Sequence, residues 1–332
     1  MRLVRHPVLC NYYLTYRCNA RCSFCDIWER PSPYAHREAV FQNLKDARRL
    51  GVDIVDFTGG EPLLHRELPD FLEYAQTLGL ITTVTTNALL YPKYAEALKG
   101  KIDMLHFSLD AADAESHDSI RGVRCFEHVM RSIEVALALG ERPDILFTAT
   151  NHNLHHIQRI WENICLPNRL VLIINPVFHY NEVGEALTPE SLNILRQWAR
   201  KPWVYLNEAF LKLRADGGND IRKPVCRAGS STLVISPQNE LVVPCYHLSA
   251  ARFPIKNNLF ELYHSAQVQK WIRQEGRLSG CEGCAINCYM QPSFAVEMNT
   301  YWWLALRSTL KYNYMKGTWR RYLYQKIKAR KA

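Results

Sequence analysis

Strand-like and helix-like segments alternate about six times in the first half of the 332-residue chain. The strand-like segments are short, apolar and rich in β-branched residues; they span residues 8–15, 53–58, 81–86, 104–110, 145–150 and 170–177. Helical spacing occupies the intervals at 39–50, 68–78, 94–98, 126–139 and 154–164. Repeated strand–helix–strand units favour a parallel sheet with right-handed crossovers. Strands that are apolar on both faces indicate a sheet covered on both sides. We therefore predict an α/β fold built on a partial (β/α)6, TIM-like barrel.

The pattern changes after residue 185, where we predict the end of the core domain at 1–185. Residues 186–224 have the pattern of a helical connector. Residues 225–297 combine clustered cysteines with two short strand-like runs around a turn at Pro237, so we expect a small cysteine-rich α+β module there. Residues 298–332 predict a helical basic tail.

The net charge of +9 lies entirely in that tail. Residues 298–332 carry nine of the 41 Lys and Arg and no acidic residue, so the first 297 residues hold 32 basic and 32 acidic residues. A neutral body has no general affinity for polyanions, and a nucleic-acid partner is not expected. The chain has no uninterrupted apolar run long enough to span a membrane and no secretory signal, which predicts a cytoplasmic protein.

Eight of the eleven cysteines fall into two sets. The first set is Cys18, Cys22 and Cys25; the second is Cys226, Cys245, Cys281, Cys284 and Cys288. An odd number of cysteines without a secretory signal argues against a disulfide framework, and clustered thiols in a reducing compartment predict metal binding. The remaining cysteines, Cys10, Cys125 and Cys165, are isolated, and we predict that they are buried apolar thiols.

The first set has the spacing C-x3-C-x2-C directly after the first predicted strand. Three thiolates at this spacing can bind three irons of a cubic iron–sulfur cluster and leave the fourth iron open for another ligand. The end of a strand is also where α/β folds place their active sites. A zinc site would need a fourth ligand, and the local candidates Asp26 and His36 lack zinc-finger spacing.

Residues 15–25, TYRCNARCSFC, resemble the signature loop of radical S-adenosylmethionine (SAM) enzymes. Further matches to that family follow in order over roughly residues 8–180: the segment TGGEP at 58–62, Thr86-Asn87, Ser108-Leu109-Asp110 and Arg121-Gly122. The resemblance implies a 4Fe-4S cluster on Cys18, Cys22 and Cys25. It also implies reductive cleavage of SAM to a 5′-deoxyadenosyl radical that takes hydrogen from an unactivated carbon. The electron would come from an external donor of the flavodoxin or ferredoxin type.

The same resemblance assigns residues to SAM itself. In the family the GGEP segment receives the SAM amino group, which implies binding by Gly59, Gly60 and Glu61, and the glycines allow close backbone approach. Phe24 matches the aromatic residue that lies against adenine. By resemblance, four further residues lie near the ribose and carboxylate: Asn87, Ser108, Asp110 and Arg121. An alternative remains open for the last two, namely a helix cap at Asp110 and a surface ion pair at Arg121.

The second cysteine set resembles the SPASM/twitch extensions of radical SAM enzymes. A full SPASM extension has seven cysteines and two auxiliary clusters, whereas five cysteines fit one auxiliary 4Fe-4S cluster. The implied ligands are Cys226, Cys245, Cys281 and Cys284, with Cys288 alternating or idle. Glu240 replaces the glycine that the family pattern has five residues before the second cysteine. A zinc ribbon on Cys281 and Cys284 stays open as an alternative.

Tyr246 and His247 are the predicted catalytic residues, because they follow Cys245 directly. Sulfatase-maturing relatives have a proton-accepting aspartate where this chain has Tyr246, which argues against that reaction. His247 has an ordinary pKa near neutrality and could act as an acid or base. The same role is open to several residues near the ends of strands five and six: His152, His155, His156, and His179 with Tyr180.

Apolar residues recur at four-residue steps along the tail, first at Trp302, Leu306, Leu310 and Tyr314, then at Met315, Trp319, Leu323 and Ile327. Gly317 separates the two stripes as a predicted weak point. One interpretation is a helix on the inner membrane surface that receives a lipid-like substrate. The others are a helix docked on the enzyme body and, with less support from the neutral body, nucleic-acid binding.

The leading hypothesis is therefore a radical SAM enzyme acting on a hydrophobic or membrane-associated metabolite, such as a lipid, an isoprenoid or a pigment. One alternative is maturation of a ribosomally made peptide. The other is a non-catalytic iron–sulfur or metal-binding protein, against which the intact Glu61 turn and Phe24 argue, since a scaffold needs no SAM site.

Overall fold

The computed structural model describes residues 3–179, 185–256 and 258–318. Within these ranges one sheet contains ten strands, in the order β10-β9-β8-β1-β2-β3-β4-β5-β6-β7. The strands are β1 (Leu9–Thr15), β2 (Ile54–Gly59), β3 (Ile81–Thr86), β4 (Met104–Ser108), β5 (Asp144–Ala149), β6 (Leu172–Pro176), β7 (Val204–Tyr205), β8 (Thr232–Ile235), β9 (Glu240–Val243) and β10 (Ala251–Pro254).

Helices connect the strands and cover the sheet. They are α1 (Arg37–Arg49), α2 (Leu68–Thr77), α3 (Tyr91–Leu98), α4 (Ala114–Arg121), α5 (Phe126–Ala138), α6 (Ile157–Ile160), α7 (Leu166–Asn168), α8 (Pro189–Trp198), α9 (Glu208–Ala215), α10 (Ala228–Ser231), α11 (Leu259–His264), α12 (Ala266–Ile272), α13 (Asn287–Phe294) and α14 (Thr300–Lys316). A π-helical segment, Trp161–Cys165, joins α6 to α7. Side-chain caps begin several helices; Asp113, for example, accepts a hydrogen bond from Ser116 N at the start of α4.

The predicted α/β architecture is confirmed. Strands β1 to β6 lie side by side in chain order with parallel pairing, and each matches a predicted strand to within two residues at either end. The segment predicted as a helical connector contains helices α8 and α9, but also the short strand β7, which continues the sheet beside β6. Two residues are too few for a sequence pattern to reveal a strand.

The C-terminal hairpin does not form a sheet of its own. Strand β8 pairs in parallel with β1, from Leu9 opposite Thr232 to Tyr12 opposite Ile235, and β9 and β10 follow in antiparallel pairing. The sheet thus crosses the boundary near residue 185, and the predicted division into domains stays a prediction. Asn239 has φ +60° in the hairpin turn, so the left-handed position falls before Glu240, which starts β9.

The two faces of the sheet belong to separate cores. Tyr12, Leu14 and Phe57 point into the large core that the sheet forms with its covering helices. Tyr13 and Val234 point into a second core, which contains residues of α9 and α13. The three isolated cysteines, Cys10, Cys125 and Cys165, are buried as predicted. Helices α9 and α13 therefore fill the face of the sheet opposite to the connecting helices.

The described part of the tail is a helix docked on the body. Helix α14 contacts α9 and β7, with Ser308 and Tyr312 buried, and it ends at Gly317 with φ +74°, as the predicted weak point implies. The first predicted stripe is not the docked side of the helix, because Leu310 is 59% exposed and Tyr314 is 82% exposed. Hydrogen bonds of Ser308 and Tyr312 to the body set the docked face instead.

The second predicted stripe lies outside the described residues from Trp319 onward. In the described part of the chain, no helix is long and apolar enough to cross a membrane.

Candidate active site

The first cysteine set lies in the loop that follows β1, at the C-terminal end of the strand. Two backbone hydrogen bonds tie this loop to the end of α4, from Arg21 N to Arg121 O (2.9 Å) and from Ser23 N to Ile120 O (3.0 Å). Gly122 has φ +66°, and a Cβ there would lie 2.5 Å from Arg21 O. The loop is therefore held in one conformation by contacts that need glycine at position 122.

The three thiols of this loop are partly buried and free of disulfides. Cys18 Sγ accepts a hydrogen bond from Ala20 N (3.4 Å), and Cys22 Sγ accepts one from the Arg121 guanidinium (3.5 Å). Burial raises the pKa of Cys18 to about 12 and that of Cys25 to about 11. Among the described residues, no three or more His, Cys, Asp or Glu side chains are gathered as a single metal ion requires. Three thiols with nearby donors and no fourth protein ligand fit a cubic cluster with one open iron.

Gly59 and Gly60 pack against the cysteine loop. Gly60 N donates to Thr15 O and Glu61 N donates to Arg17 O, each at 2.9 Å. A Cβ on Gly59, where φ is +142°, would overlap Thr15 O, and a Cβ on Gly60 would overlap Arg17 O. The sequence suggested close approach to a ligand as the reason for these glycines. The structure supplies a different reason, which is close approach between two loops.

Glu61 joins the same two turns to the end of β3. Its carboxylate is 1% exposed and accepts hydrogen bonds from Leu63 N (3.0 Å), Thr86 Oγ1 (2.7 Å) and Asn87 N (2.8 Å). Burial raises its pKa to about 7, against the effect of these hydrogen bonds. Since a carboxylate offers about four lone pairs, one acceptor position remains for an ammonium group. Binding of the SAM amino group by Glu61 stays a prediction.

Asp110 and Arg121 form a buried ion pair beneath the cysteine loop, with a distance of 2.5 Å between Oδ2 and Nη2. Asp110 Oδ1 also accepts from Thr148 N (2.8 Å), and the Arg121 guanidinium lies 5.6 Å from the ring centre of Phe24. Asp110 is therefore no helix cap, since Asp113 caps α4, and Arg121 is no surface residue. The pair connects strand β4 to the loop through Phe24 and Cys22.

The other two predicted SAM contacts lie at the same edge of the sheet. Ser108 ends β4 and is buried. Asn87 follows β3 and donates from Nδ2 to Asn19 Oδ1 (2.7 Å), next to Cys18. The fold therefore brings the predicted residues together around the first cysteine set, while their individual roles stay predictions.

Asn219 organises the second cysteine set, and sequence reasoning missed it. Its Oδ1 accepts from Val225 N and Cys226 N, both at 3.0 Å, and its Nδ2 donates to Gly276 O (2.9 Å) and Cys281 O (3.1 Å). Its backbone N–H donates to Cys284 O. One buried amide thus joins the segment of Cys226 to the segment of Cys281 and Cys284. The Gly217-Gly218-Asn219 run was visible only as a turn.

Four thiols of the second set lie within electrostatic range of one another. Burial raises the pKa of Cys226, and the neighbouring Cys284 and Cys245 raise it further. Cys281 and Cys284 act on Cys245 in the same way, after burial. The proposed auxiliary ligands are thus brought together from four separate positions in the chain, and both the cluster and the zinc alternative stay predictions.

Cys288 differs from these four thiols. It lies in α13 and is exposed. Burial of the sulfur has the largest effect in raising the pKa of its thiol, and Asp56 and Cys284 are close enough to raise it further. The prediction that Cys288 is an alternating or idle ligand of the auxiliary cluster stays a prediction.

Tyr246 and His247 lie between the two cysteine sets. The Tyr246 ring stacks on Tyr13 at 4.5 Å between ring centres, and the Arg30 guanidinium lies 4.8 Å above it. The His247 ring meets the edges of Phe178 and Tyr289 at 5.5 and 5.9 Å. Burial lowers the pKa of His247 to about 4, so the ring is neutral at pH 7.

Three of the alternative histidines, His152, His155 and His156, contact residues outside the two cysteine sets. His152 is exposed beside Glu185, at 3.6 Å. His155 stacks on His156 at 3.9 Å, and His156 lies 3.6 Å from Asp113. Tyr180 lies outside the described residues. None of these contacts joins a cysteine set, which leaves His247 as the better placed of the candidates.

A parallel β/α core with a C-x3-C-x2-C loop after its first strand is typical of radical SAM enzymes. Comparison with known proteins gives the same assignment. The Radical SAM superfamily model matches residues 12–162. An AdoMet-dependent heme synthase of Nitratidesulfovibrio vulgaris is 30% identical over 327 residues, covering 83% of this chain and 86% of that protein. A protein of the same name from Methanosarcina barkeri is 24% identical over 344 residues, covering 89% and 96%.

A similar fold is found in SuiB of Streptococcus suis, solved bound to its precursor peptide SuiA. The TM-score is 0.66 at 18% identity, over 82% of this chain and 67% of SuiB. The chain belongs to the radical SAM superfamily. It is accordingly an enzyme that uses SAM and a 4Fe-4S cluster, as the cysteine loop predicted.

Proposed function

We propose that the enzyme modifies an unactivated carbon of a hydrophobic metabolite of the pigment or lipid class. The observation that carries this proposal is the match to two heme synthases over 83% and 89% of the chain, because heme is a large apolar pigment. With its cluster and SAM bound, the site supplies a carbon-centred radical that abstracts hydrogen. The residues of this chain bind and orient the substrate and exclude water.

The space between the two cysteine sets supports an apolar substrate. Aromatic and imidazole rings pack against one another in this region, and they belong to Tyr13, Tyr246, Tyr289, Phe178 and His247. Tyr246 Oη is buried and has no hydrogen-bond partner among the described residues. A buried hydroxyl without a partner is costly, so we propose that a polar group of the substrate binds there. Neutral His247 would accept or return the proton in the reaction.

The exposed side of α14 supports peripheral contact with a membrane. Trp303 and Leu310 are each 59% exposed and Tyr314 is 82% exposed; they recur at steps of seven and four residues, which places them on one side of the helix. Aromatic side chains of this kind suit the bilayer interface. The opposite side of α14 docks on the body, so the docked helix is compatible with the proposed membrane contact.

The test uses the anaerobically reconstituted enzyme with SAM and dithionite. We expect 5′-deoxyadenosine formation to rise on addition of a membrane-lipid extract of the host and to stay at background with a soluble extract. Stimulation by the soluble extract alone would contradict the proposal. In a parallel vesicle sedimentation assay, Trp303→Ser with Leu310→Ser should release the enzyme from anionic vesicles.

Peptide maturation has less support. Its basis is the structural likeness to SuiB, and at 18% identity that likeness concerns the fold alone. The soluble-extract arm of the experiment is the one in which a peptide substrate would be detected.

A further inference from the structure

A basic cleft lies on the C-terminal part of the molecule, away from the SAM site. It encloses a cavity of about 750 Å³. The charged residues that line it are Arg5, Arg227, His264, Arg273, Glu275 and Arg277. Four guanidinium groups therefore face one carboxylate. Since the first 297 residues are neutral as a whole, this concentration of positive charge is local.

Three of these arginines have no partner within the described residues. The side chains of Arg5, Arg273 and Arg277 are exposed, and they form no hydrogen bond or ion pair with any described residue. Arg227, by contrast, is paired with Glu297 at 3.1 Å. Glu275 does not neutralise the cleft, because its carboxylate is buried and accepts hydrogen bonds from Ser230 N and Ser230 Oγ, both at 2.7 Å.

The cleft lies directly behind the second cysteine set. Arg227 follows Cys226 and donates to Cys226 O (3.1 Å). Gly276 precedes Arg277, and a Cβ on Gly276 would lie 2.9 Å from Cys226 O. The backbone that presents Arg277 therefore touches the backbone of Cys226. A partner bound to the cleft would be separated from the Cys226 thiol by a single layer of main chain.

We propose that this basic cleft is the docking surface for an acidic electron-transfer protein of the flavodoxin type. The donor's flavin is oxidised by one electron and the enzyme is reduced by one electron, which enters beside Cys226. The route rests on the proposed auxiliary cluster, whereas the docking itself does not.

The form of the cleft favours a protein over a small anion. A small-anion site has buried donors that converge on one point, whereas these guanidinium groups are solvent-exposed. A second cavity of about 550 Å³ shares Arg227 and Arg277 with the first, and its lining has five basic and three acidic residues, so an excess of positive charge extends beyond the first cavity. Weak electron-transfer complexes use small interfaces, and complementary charge raises their association rate.

The test compares two charge-reversal variants of equal net charge. Arg273→Glu with Arg277→Glu changes the cleft. Lys93→Glu with Lys99→Glu changes exposed residues at α3, which do not line it. The first measurement is binding of purified oxidised flavodoxin by isothermal titration calorimetry at low and high salt. The second is 5′-deoxyadenosine formation, driven either by reduced flavodoxin or by dithionite.

We expect the cleft variant to bind flavodoxin at least about tenfold more weakly at low salt, and the difference to shrink as salt screens the charges. Its flavodoxin-driven rate should fall by a similar factor, while its dithionite-driven rate and the α3 variant stay at the wild-type level. Equal flavodoxin binding by the two variants would overturn the proposal. The binding measurement decides this even if no substrate stimulates turnover.

A loss of the dithionite-driven rate in the cleft variant would point to damage near Cys226. Arg5→Glu then serves as the second variant, because Arg5 lines the cleft from the N-terminal segment, whereas Arg277 is joined through Gly276 to the backbone of Cys226. It should weaken flavodoxin binding with an unchanged dithionite-driven rate. Unchanged flavodoxin binding by Arg5→Glu, together with wild-type binding by Arg273→Gln, would overturn the proposal.

Discussion

Lys316 Nζ lies 2.6 Å from Asp144 Oδ1, so an ion pair with a fully buried carboxylate binds the last turn of α14 to the start of β5. Tyr312 Oη donates to Asp144 Oδ2 (2.7 Å), and His106 Nε2 lies 3.4 Å from the same oxygen. Burial alone would raise the pKa of Asp144, but Lys316 and His106 outweigh it, and the pKa lies below its usual value. The tail helix is therefore joined to the inside of the sheet by charge.

Lys316→Met should destabilise the protein by about 2–4 kcal/mol, because it leaves a buried carboxylate without its main counter-charge. Since the pKa of Asp144 is lowered on folding, the ion pair stabilises the protein above about pH 4, and that contribution is lost as the pH falls below the unfolded-state value. Urea unfolding between pH 3 and pH 8 measures both effects. Lys99→Met, at an exposed site, is the control, and an equal loss in the two variants would contradict the role of the pair.

Gly59→Ala should abolish cluster binding at the first cysteine set, because its Cβ would overlap Thr15 O and displace the loop. Iron content and the iron–sulfur absorbance of the reconstituted enzyme report the loss. Gly79→Ala is the matched control, since Gly79 also has positive φ (+72°) but open space around its Cα. It should lower the free energy of unfolding by roughly 1 kcal/mol and leave the cluster content unchanged. Normal iron content in Gly59→Ala would show that the loop can shift without cost.

Asn219→Ala should remove the same iron that Cys226→Ala removes and leave the cluster at Cys18, Cys22 and Cys25 in place. The substitution removes the partner of the N–H groups of Val225 and Cys226 and of the Gly276 carbonyl, whereas Cys281 O still accepts from Cys284 N, at a cost of about 3–5 kcal/mol. Iron content and electron paramagnetic resonance distinguish the two centres. Asn193→Ala on the exposed side of α8 is the control, and full auxiliary iron in Asn219→Ala would refute the organising role.

Asp56→Asn should stabilise the protein above pH 6 by about 1–3 kcal/mol. Burial raises the pKa of Asp56 to about 6, against opposing effects of His106 and Thr83. The folded state therefore binds a proton that the unfolded state releases near pH 4, and wild-type stability falls as the pH rises from about 4 to about 6. Thermal unfolding across that range should lose this slope in Asp56→Asn and keep it in Asp53→Asn, whose side chain is 61% exposed.

Cys22→Ala should abolish SAM cleavage and leave the auxiliary centre visible, since the two cysteine sets lie in separate segments. Cys125→Ala, at a buried isolated thiol, serves as the comparison and should keep both centres. The readouts are 5′-deoxyadenosine formation and the residual iron signal. Cleavage that persists in Cys22→Ala would disprove the assignment of the first set.

Local patterns predicted the part of the structure that depends on nearby residues. The six central strands depend on neighbours in sequence and were found where expected, whereas the conformations of the cysteine loop and the Gly59–Gly60 turn also depend on contacts between distant segments. The pairing of β8 with β1, the contacts of Asn219 and the docked side of α14 depend on residues more than 50 positions apart. Periodicity placed Leu310 in an apolar stripe but did not show which side of α14 docks, because that depends on the contact of Tyr312 with the buried Asp144.

The parallel pairing of β8 with β1 also determines whether the catalytic half of the sheet has an exposed edge. Without residues 225–318, β1 would become an edge strand, with the unpaired main chain of Leu9–Tyr12 open to other molecules. Bare edges of this apolar kind promote strand addition and aggregation. The segment that carries the second cysteine set therefore covers an edge of the catalytic half that would otherwise be open to strand addition.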